Sequence, residues 1–215
     1  MTTVTKWSNV QIAIQTALSA ANTITAISKA NPGVVTAAST GIATGDFVRM
    51  DAEGMFQVDD RVFRASAAGS NAFTLEGEDT TLYDTFSSGT AKVVTFGTVM
   101  ATVRGLTAGG GDFDFIDITT VHDNIRKQIP GLPQASNYAL ENIWDASDAA
   151  LIALKTAADN QSLIAFKLAF AGGTGAKVAF LGYVGATLLP TGNAQDLVVT
   201  PVTVTMFGRP TILSS

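Results

Sequence analysis

Apolar side chains recur at every second residue along most of this chain, and that rhythm excludes a helical protein. In residues 8–18, Val10, Ile12 and Ile14 alternate with Gln11, Ala13 and Gln15, the pattern of a half-buried strand. Longer alternating runs follow at 95–106, with Val99, Ala101 and Val103 on one face, at 113–120, and from Ile164 to the end of the chain. One stretch breaks the rhythm. Residues 148–159 set Leu151, Leu154 and Ala158 at helical spacing, with Ala150 and Ala157 beside them. Ser147 is the expected N-cap, Asp148 complements the dipole of the first turn, and Asn160 ends the helix. The expected fold class is mainly β: a β sandwich with one packed α-helix, plus a second, small all-β domain.

The second domain is announced by a change of texture. From Thr23 to Val94 the strand-like runs shorten (TITAISKA, VVTAAST, FVRM, MFQV, RVFRAS, AFTLEG) and turn residues separate them, as in a small barrel or sandwich. This stretch carries 5 basic and 9 acidic residues, most of the chain's net charge of −5. The expected division is therefore a discontinuous sandwich core, 1–22 and 95–215, interrupted by an inserted small β-barrel-like domain, 23–94. Insertion into a surface connection costs little, because loop closure becomes only slowly more expensive with length. Elsewhere, Ala108–Asp112 has the composition of a mobile link. Thr120 and Asp123 can cap a short helical turn over 121–128, and Gly172–Gly175 reads as a hairpin turn.

Composition removes whole classes of chemistry. There is no cysteine and a single histidine, His122, so thiolate chemistry and a histidine-based metal cluster are excluded. Gly172–Lys177 looks superficially like a phosphate loop, but Val178 follows the lysine and opens a strand rather than a helix. The carboxylates at Asp59–Asp60, Glu76–Asp79 and Asp112–Asp117 lack the spacing of a calcium loop. No nucleophile elbow accompanies His122. No catalytic residue, cofactor or metal is expected, and the chain does not read as an enzyme. An acidic balance of 13 Lys+Arg to 18 Asp+Glu does not suit a nucleic-acid wrapper. The longest apolar run, Val178 to Pro190, falls short of the ~20 residues that span a bilayer, and no signal-like segment opens the chain, so no membrane partner is expected. Only 14% of residues are charged, against about 25% in an average domain. Copies of the chain covering one another would account for such a surface.

Two resemblances follow from particular residues. FIDITT (115–120), Asp123, Arg126, PGL (130–132), LENIWD (140–145), the helix, FLGYV (180–184) and TVTMFGRP (203–210), with VQIAIQ (10–15) as first strand, resemble the major tail tube proteins of lambda-like, long flexible-tailed bacteriophages. ANPGVVTA (30–37), GIATGDFV (41–48), Met55, Val58, Asp59, Phe63, SNAFTLEG (70–77), Tyr83 and SGTAKV (88–93) resemble an FCCH-like small β module of phage structural proteins. The first resemblance implies a virion structural protein, assembled in the host cytoplasm. Its hexameric rings would stack into a tail tube through which DNA passes without specific binding. Implied partners are the chain itself, a tape-measure protein, and tail tip and terminator proteins. The module would decorate the tube exterior.

In that setting Gln11, Ala13, Gln15, Thr98, Met100 and Thr102 are the expected lumen residues. Gly109, Gly110, Gly111, Asp112, Arg126 and Pro130 mark the expected ring-stacking loop, and the N-terminal arm, Met1–Trp7, is expected to order in a similar way. The competing readings are a surface-binding adhesion module and a tail terminator-like protein.

Overall fold

The structure is a computed structural model and describes residues 9–38, 41–170 and 175–213. The N-terminal arm and the expected turn residues Gly172, Gly173 and Thr174 lie outside the described residues. Strands in chain order are β1 (Val10–Leu18), β2 (Asn22–Ile27), β3 (Val34–Ala37), β4 (Phe47–Glu53), β5 (Arg61–Ser66), β6 (Ala72–Leu75), β7 (Ser88–Val99), β8 (Val103–Gly109), β9 (Phe113–Asp117), β10 (Gln128–Pro133) and β11 (Asn137–Ile143). The helix α1 (Ala149–Asp159) follows, then β12 (Ile164–Phe170), β13 (Lys177–Gly185) and β14 (Val199–Leu213). Twelve strands form one sheet in the order β2-β3-β6-β5-β4-β7-β1-β12-β13-β14-β11-β8, and β9 and β10 form a separate pair. The chain is mainly β, as the alternation requires.

The half of the sheet from β1 to β8 curls around one core. Ile12 and Ile14 of β1, Phe166 and Leu168 of β12, Phe180 of β13, Val202 and Val204 of β14, and Leu140 of β11 all enter it, with Leu106 of β8 packed at its margin. Phe166 and Phe180 stack at 5.4 Å between ring centroids, and Tyr138 lies 5.3 Å from Phe180. Leu151, Leu154 and Ala157 of α1 close the core, and Ala158 packs at its edge. Each fully buried Leu or Phe contributes about 1.5–3 kcal/mol of transfer free energy.

The residue that caps α1 is Asp148. Its Oδ1 accepts from the backbone N–H of Ala150 at 2.7 Å and of Leu151 at 3.0 Å. Ser147, the expected cap, instead donates its hydroxyl to Asp145 Oδ1 at 2.7 Å. Both residues have capping chemistry, and the chain enters the helix one position later than the sequence suggests.

Strands β2–β6 and the first half of β7 enclose a second core. Val35, Val48, Met50, Met55, Val58, Phe63, Phe73 and Leu75 are fully buried there. The run Met55–Val58 is a turn rather than a strand, with the Val58 N–H donating to the Met55 carbonyl; Met55 and Val58 point inward, and Phe56 is exposed. β7 carries Ala91 and Val93 into the second core and Val94 and Phe96 into the cluster that joins the two, so the expected boundary at Val94–Thr95 falls inside a continuous strand. The expected single strand over 95–106 is broken instead. β7 ends at Val99, Met100 turns into the first core while its N–H donates to the Ile12 carbonyl at 2.8 Å, and β8 starts at Val103.

A third cluster joins the two. Phe47 of β4 and Val62 of β5 pack on Ala165, Ala179, Leu181 and Leu213, the face of β12–β14 that points away from the helix. Arg61 is buried at this seam. It pairs with Glu78, donates to the Gln57 carbonyl at 2.8 Å and to the Thr211 hydroxyl at 3.4 Å, and lies 4.5 Å over the Phe63 ring. Beside it β14 passes so close that a Cβ on Gly208 would lie 3.0 Å from the Asp60 carbonyl oxygen; its φ of +73 likewise favours glycine.

Two outcomes are expected in chemical denaturation. Asp148→Ala leaves two helix N–H groups unpaired and lowers stability by about 1 kcal/mol. Arg61→Ala strands the Glu78 carboxylate in the seam and costs roughly 3–5 kcal/mol, whereas a largely exposed charge such as Arg126, changed to Ala, shifts stability by less than about 0.5 kcal/mol.

Candidate assembly surfaces

Alternation in 113–117 and β-branched or apolar residues in 128–133 form the β9–β10 pair, which stands apart from both cores. Ile129 faces Ile116 and Pro130 faces Phe115 across the ladder, and the Ile118 N–H extends it to the Lys127 carbonyl. Pro130 and Pro133 are tolerated because each strand of the pair has an open side. The turn region satisfies its own charges. Asp117 accepts from the Thr119 N–H at 2.9 Å and from Arg126 Nε at 3.0 Å, and Asp123 pairs with Lys127 and with the Thr120 backbone and hydroxyl. Hydrogen bonds from Thr119 hold the Asp117 carboxyl below the usual carboxylate range, with Arg126 adding to them, and Lys127 followed by Thr120 does the same for Asp123. The expected helical turn over 121–128 is not formed. The Thr120–Asp123 capping pair closes a tight turn of the hairpin instead.

What the hairpin leaves unsatisfied is apolar. Phe113, Phe115, Ile116, Ile118, Ile125 and Ile129 are exposed, Val121 is 96% exposed and Leu132 86%. Isolated apolar residues on a surface need no explanation, but a whole supersecondary element with its apolar residues facing out does.

The stacking residues expected from sequence converge on this hairpin. Gly109 ends β8, and Gly110 and Gly111 turn with φ of +75 and +84. The glycines do not make a loose link. A Cβ on Gly110 would fall 2.4 Å from the Ala135 carbonyl, so glycine is required for the two hairpin legs to meet at its base. The Asp112 carbonyl accepts there from the Gln134 N–H at 2.8 Å. Arg126 lies near the tip and Pro130 in β10.

The lumen residues expected from sequence do not share one face. The register Ala13↔Val99 and Ile14↔Thr98 sets Thr98 on the Ile14 side, opposite Gln11, Ala13 and Gln15. Met100 is 5% exposed within the core, and the Thr102 hydroxyl oxygen is buried. Gln11 is exposed, whereas Ala13 is 4% exposed and Gln15 Oε1 accepts from the Ala165 N–H at 3.0 Å. A slip of one residue in register exchanges faces, and no pattern within β1 or β7 alone fixes it. The Ala13 face is also occupied. Lys167, its partner on β12, lies 5.1 Å from the Phe47 ring centroid and 4.8 Å from that of Phe96, and burial, with Lys177 nearby, lowers its pKa.

An open face does exist on the far side of the curl. Thr107 of β8, Ala139 of β11 and Thr203 of β14 stand in register, flanked by Thr205 and Pro201, and all are exposed. The charges among them are Glu141 and, beside it, Arg104 at 3.8 Å, both about half exposed. The result is a smooth, nearly neutral wall of small side chains, which no single strand reveals because three non-consecutive strands build it.

Among the described residues no group of three His, Asp or Glu side chains could hold a metal ion, His122 stands exposed at the hairpin tip, and no helix is long and apolar enough to cross a membrane. No curated protein matches the chain. Residues 53–215 match the family described as phage tail tube protein, TTP. The match begins at Glu53, the last residue of β4, and so takes in the hairpin, the helix, most of the first core and half of the second. With well over half of its length matched, the chain belongs to the phage tail tube protein family and is a structural protein of the phage tail.

Proposed function

We propose that the protein forms hexameric rings that stack into the tail tube, and that the rings enclose the channel through which the genome passes. The observation that carries this reading is the β9–β10 hairpin, whose large apolar side chains find no cover among the described residues. A two-stranded ribbon is marginal alone in water, so it needs a surface to lie on. A second copy in the next ring supplies one, and a contact of this head-to-tail kind repeats into a filament rather than closing on itself.

The wall of Thr107, Ala139, Thr203 and Thr205 is the channel lining in this reading. Phosphate binding draws its strength from released counterions, and therefore from Lys and Arg. Arg104 is offset by Glu141, so DNA slides past without being held. In this reading the module of residues 23–94, anchored on Ala165, Ala179, Leu181 and Leu213, lies on the tube exterior, where its acidic balance meets solvent. The tape-measure, tip and terminator proteins are the other partners of such a tube, assembly takes place in the host cytoplasm, and the adhesion reading is set aside because the apolar hairpin lies outside the module.

Ile125→Ser with Leu132→Ser removes two of the most exposed apolar side chains and no core residue. Sedimentation of the unmodified protein is expected to give rings and tubes, and the double variant to stay folded by circular dichroism while stacking is lost or at least tenfold weaker. Undiminished tubes from the variant would show that the hairpin is not the stacking element.

A further inference from the structure

The curled sheet is not closed. β8 pairs with β11 only, and its other edge has no strand partner among the described residues. β1 pairs with β12 along Val10–Ile14, but on its other side β7 begins only at Ala13, with the Met100 N–H reaching Ile12. Between the free part of β1 and the edge of β8 runs an open groove of about 650 Å³. Val10, Ile12, Val99, Met100, Val103 and Leu106 line it, and Ile12 and Met100 form a floor continuous with the first core.

A groove with the edge of β8 on one bank, the unpaired start of β1 on the other and an apolar floor is built for an extended segment. Such a segment gains main-chain hydrogen bonds on either side and places alternate side chains downward. Once filled, the β1–β12–β13–β14–β11–β8 sheet would close and lose its exposed edges.

We propose that this groove is a strand-acceptor site for residues 2–7 of a second copy of the chain. Residues 1–8 lead directly into Asn9, which itself lines the groove. They include four consecutive β-branched residues, Thr2, Thr3, Val4 and Thr5, the composition that favours a strand. Eight extended residues reach about 26 Å at ~3.3 Å each, enough to cross to a neighbour. Filling the groove from the same chain would require a two-residue reversal at Ser8–Asn9. The hairpin turns that make such reversals favour glycine or asparagine at left-handed positions, and although Asn9 has a φ of +57, Ser8 is poorly suited to the other. In a ring each copy donates one arm and accepts one, a contact that closes. The proposal rests on the ring reading above and adds the element that joins neighbours within a ring.

The chain contains no cysteine, so introduced pairs report cleanly. Gly105 borders the groove, and a Cβ there would meet nothing nearer than Glu141 Oε2 at 3.5 Å, so Gly105→Cys is tolerated. It is combined in turn with Thr3→Cys, Val4→Cys and Thr5→Cys in the full chain, oxidised mildly and run on a non-reducing gel. A ladder of covalent multimers from at least one pair is the expected result. Intrachain cross-links alone, or none from any pair, overturn the proposal; the first would mean the arm fills its own groove. A chain lacking residues 2–7 is expected to keep its circular dichroism spectrum and to lose ring formation at concentrations where the unmodified chain assembles. Normal rings from the shortened chain overturn the strand-acceptor site and leave the tube reading standing. Failure of the unmodified chain to assemble at any concentration overturns both.

Discussion

Backbone amides and carbonyls at a sheet edge demand partners, and among the described residues the outer edge of β8 and the groove side of the start of β1 have none. That constraint governs the rest. An isolated globular domain would cover its edges with a helix, a loop or charged side chains. Here the single helix, α1, is spent on closing the core, and the chain is sparing with charge. In the proposed tube the groove between β1 and β8 and the apolar hairpin β9–β10 both receive their cover from other copies.

The seam between the two cores covers one face of the sheet. Phe47, Val62 and the buried Arg61 fix strands β4 and β5 against β12–β14, and Lys167 is held between Phe47 and Phe96. A module on a flexible tether could sit anywhere around the sandwich. One anchored by an apolar cluster, an ion pair and the close pass of Gly208 against Asp60 cannot. The Ala13 face of β1 is covered by these contacts, and in the proposed tube the uncovered face built by β8, β11 and β14 lines the channel.

Features governed by local chemistry were legible in the sequence. The first strand, the helix and the shortened rhythm of 23–94 all follow from spacing within a dozen residues. The misreadings share one cause, which is that alternation and capping chemistry do not register tertiary competition. Val99, Ala101 and Val103 alternate straight through a point where Met100 is drawn into the core and the strand breaks. Thr120 and Asp123 have the chemistry of a helix cap and use it in a hairpin turn. The seam was invisible for a different reason: Arg61 and Thr211 meet from positions 150 residues apart, and nothing local marks either as a contact. The match to the tail tube family likewise begins inside β4, without regard to the change of texture at Thr23 that separates the two halves of the sequence.

Electron cryomicroscopy of the assembled tube, at a resolution that separates strands, tests the central claim most directly. The account predicts a hollow shaft with Thr107, Ala139 and Thr203 on the channel surface, the module of residues 23–94 outside, and no sheet edge left unpaired between neighbouring copies. A shaft whose channel is lined by the Gln11–Gln15 face, or one in which the edges of β1 and β8 remain bare, would contradict it.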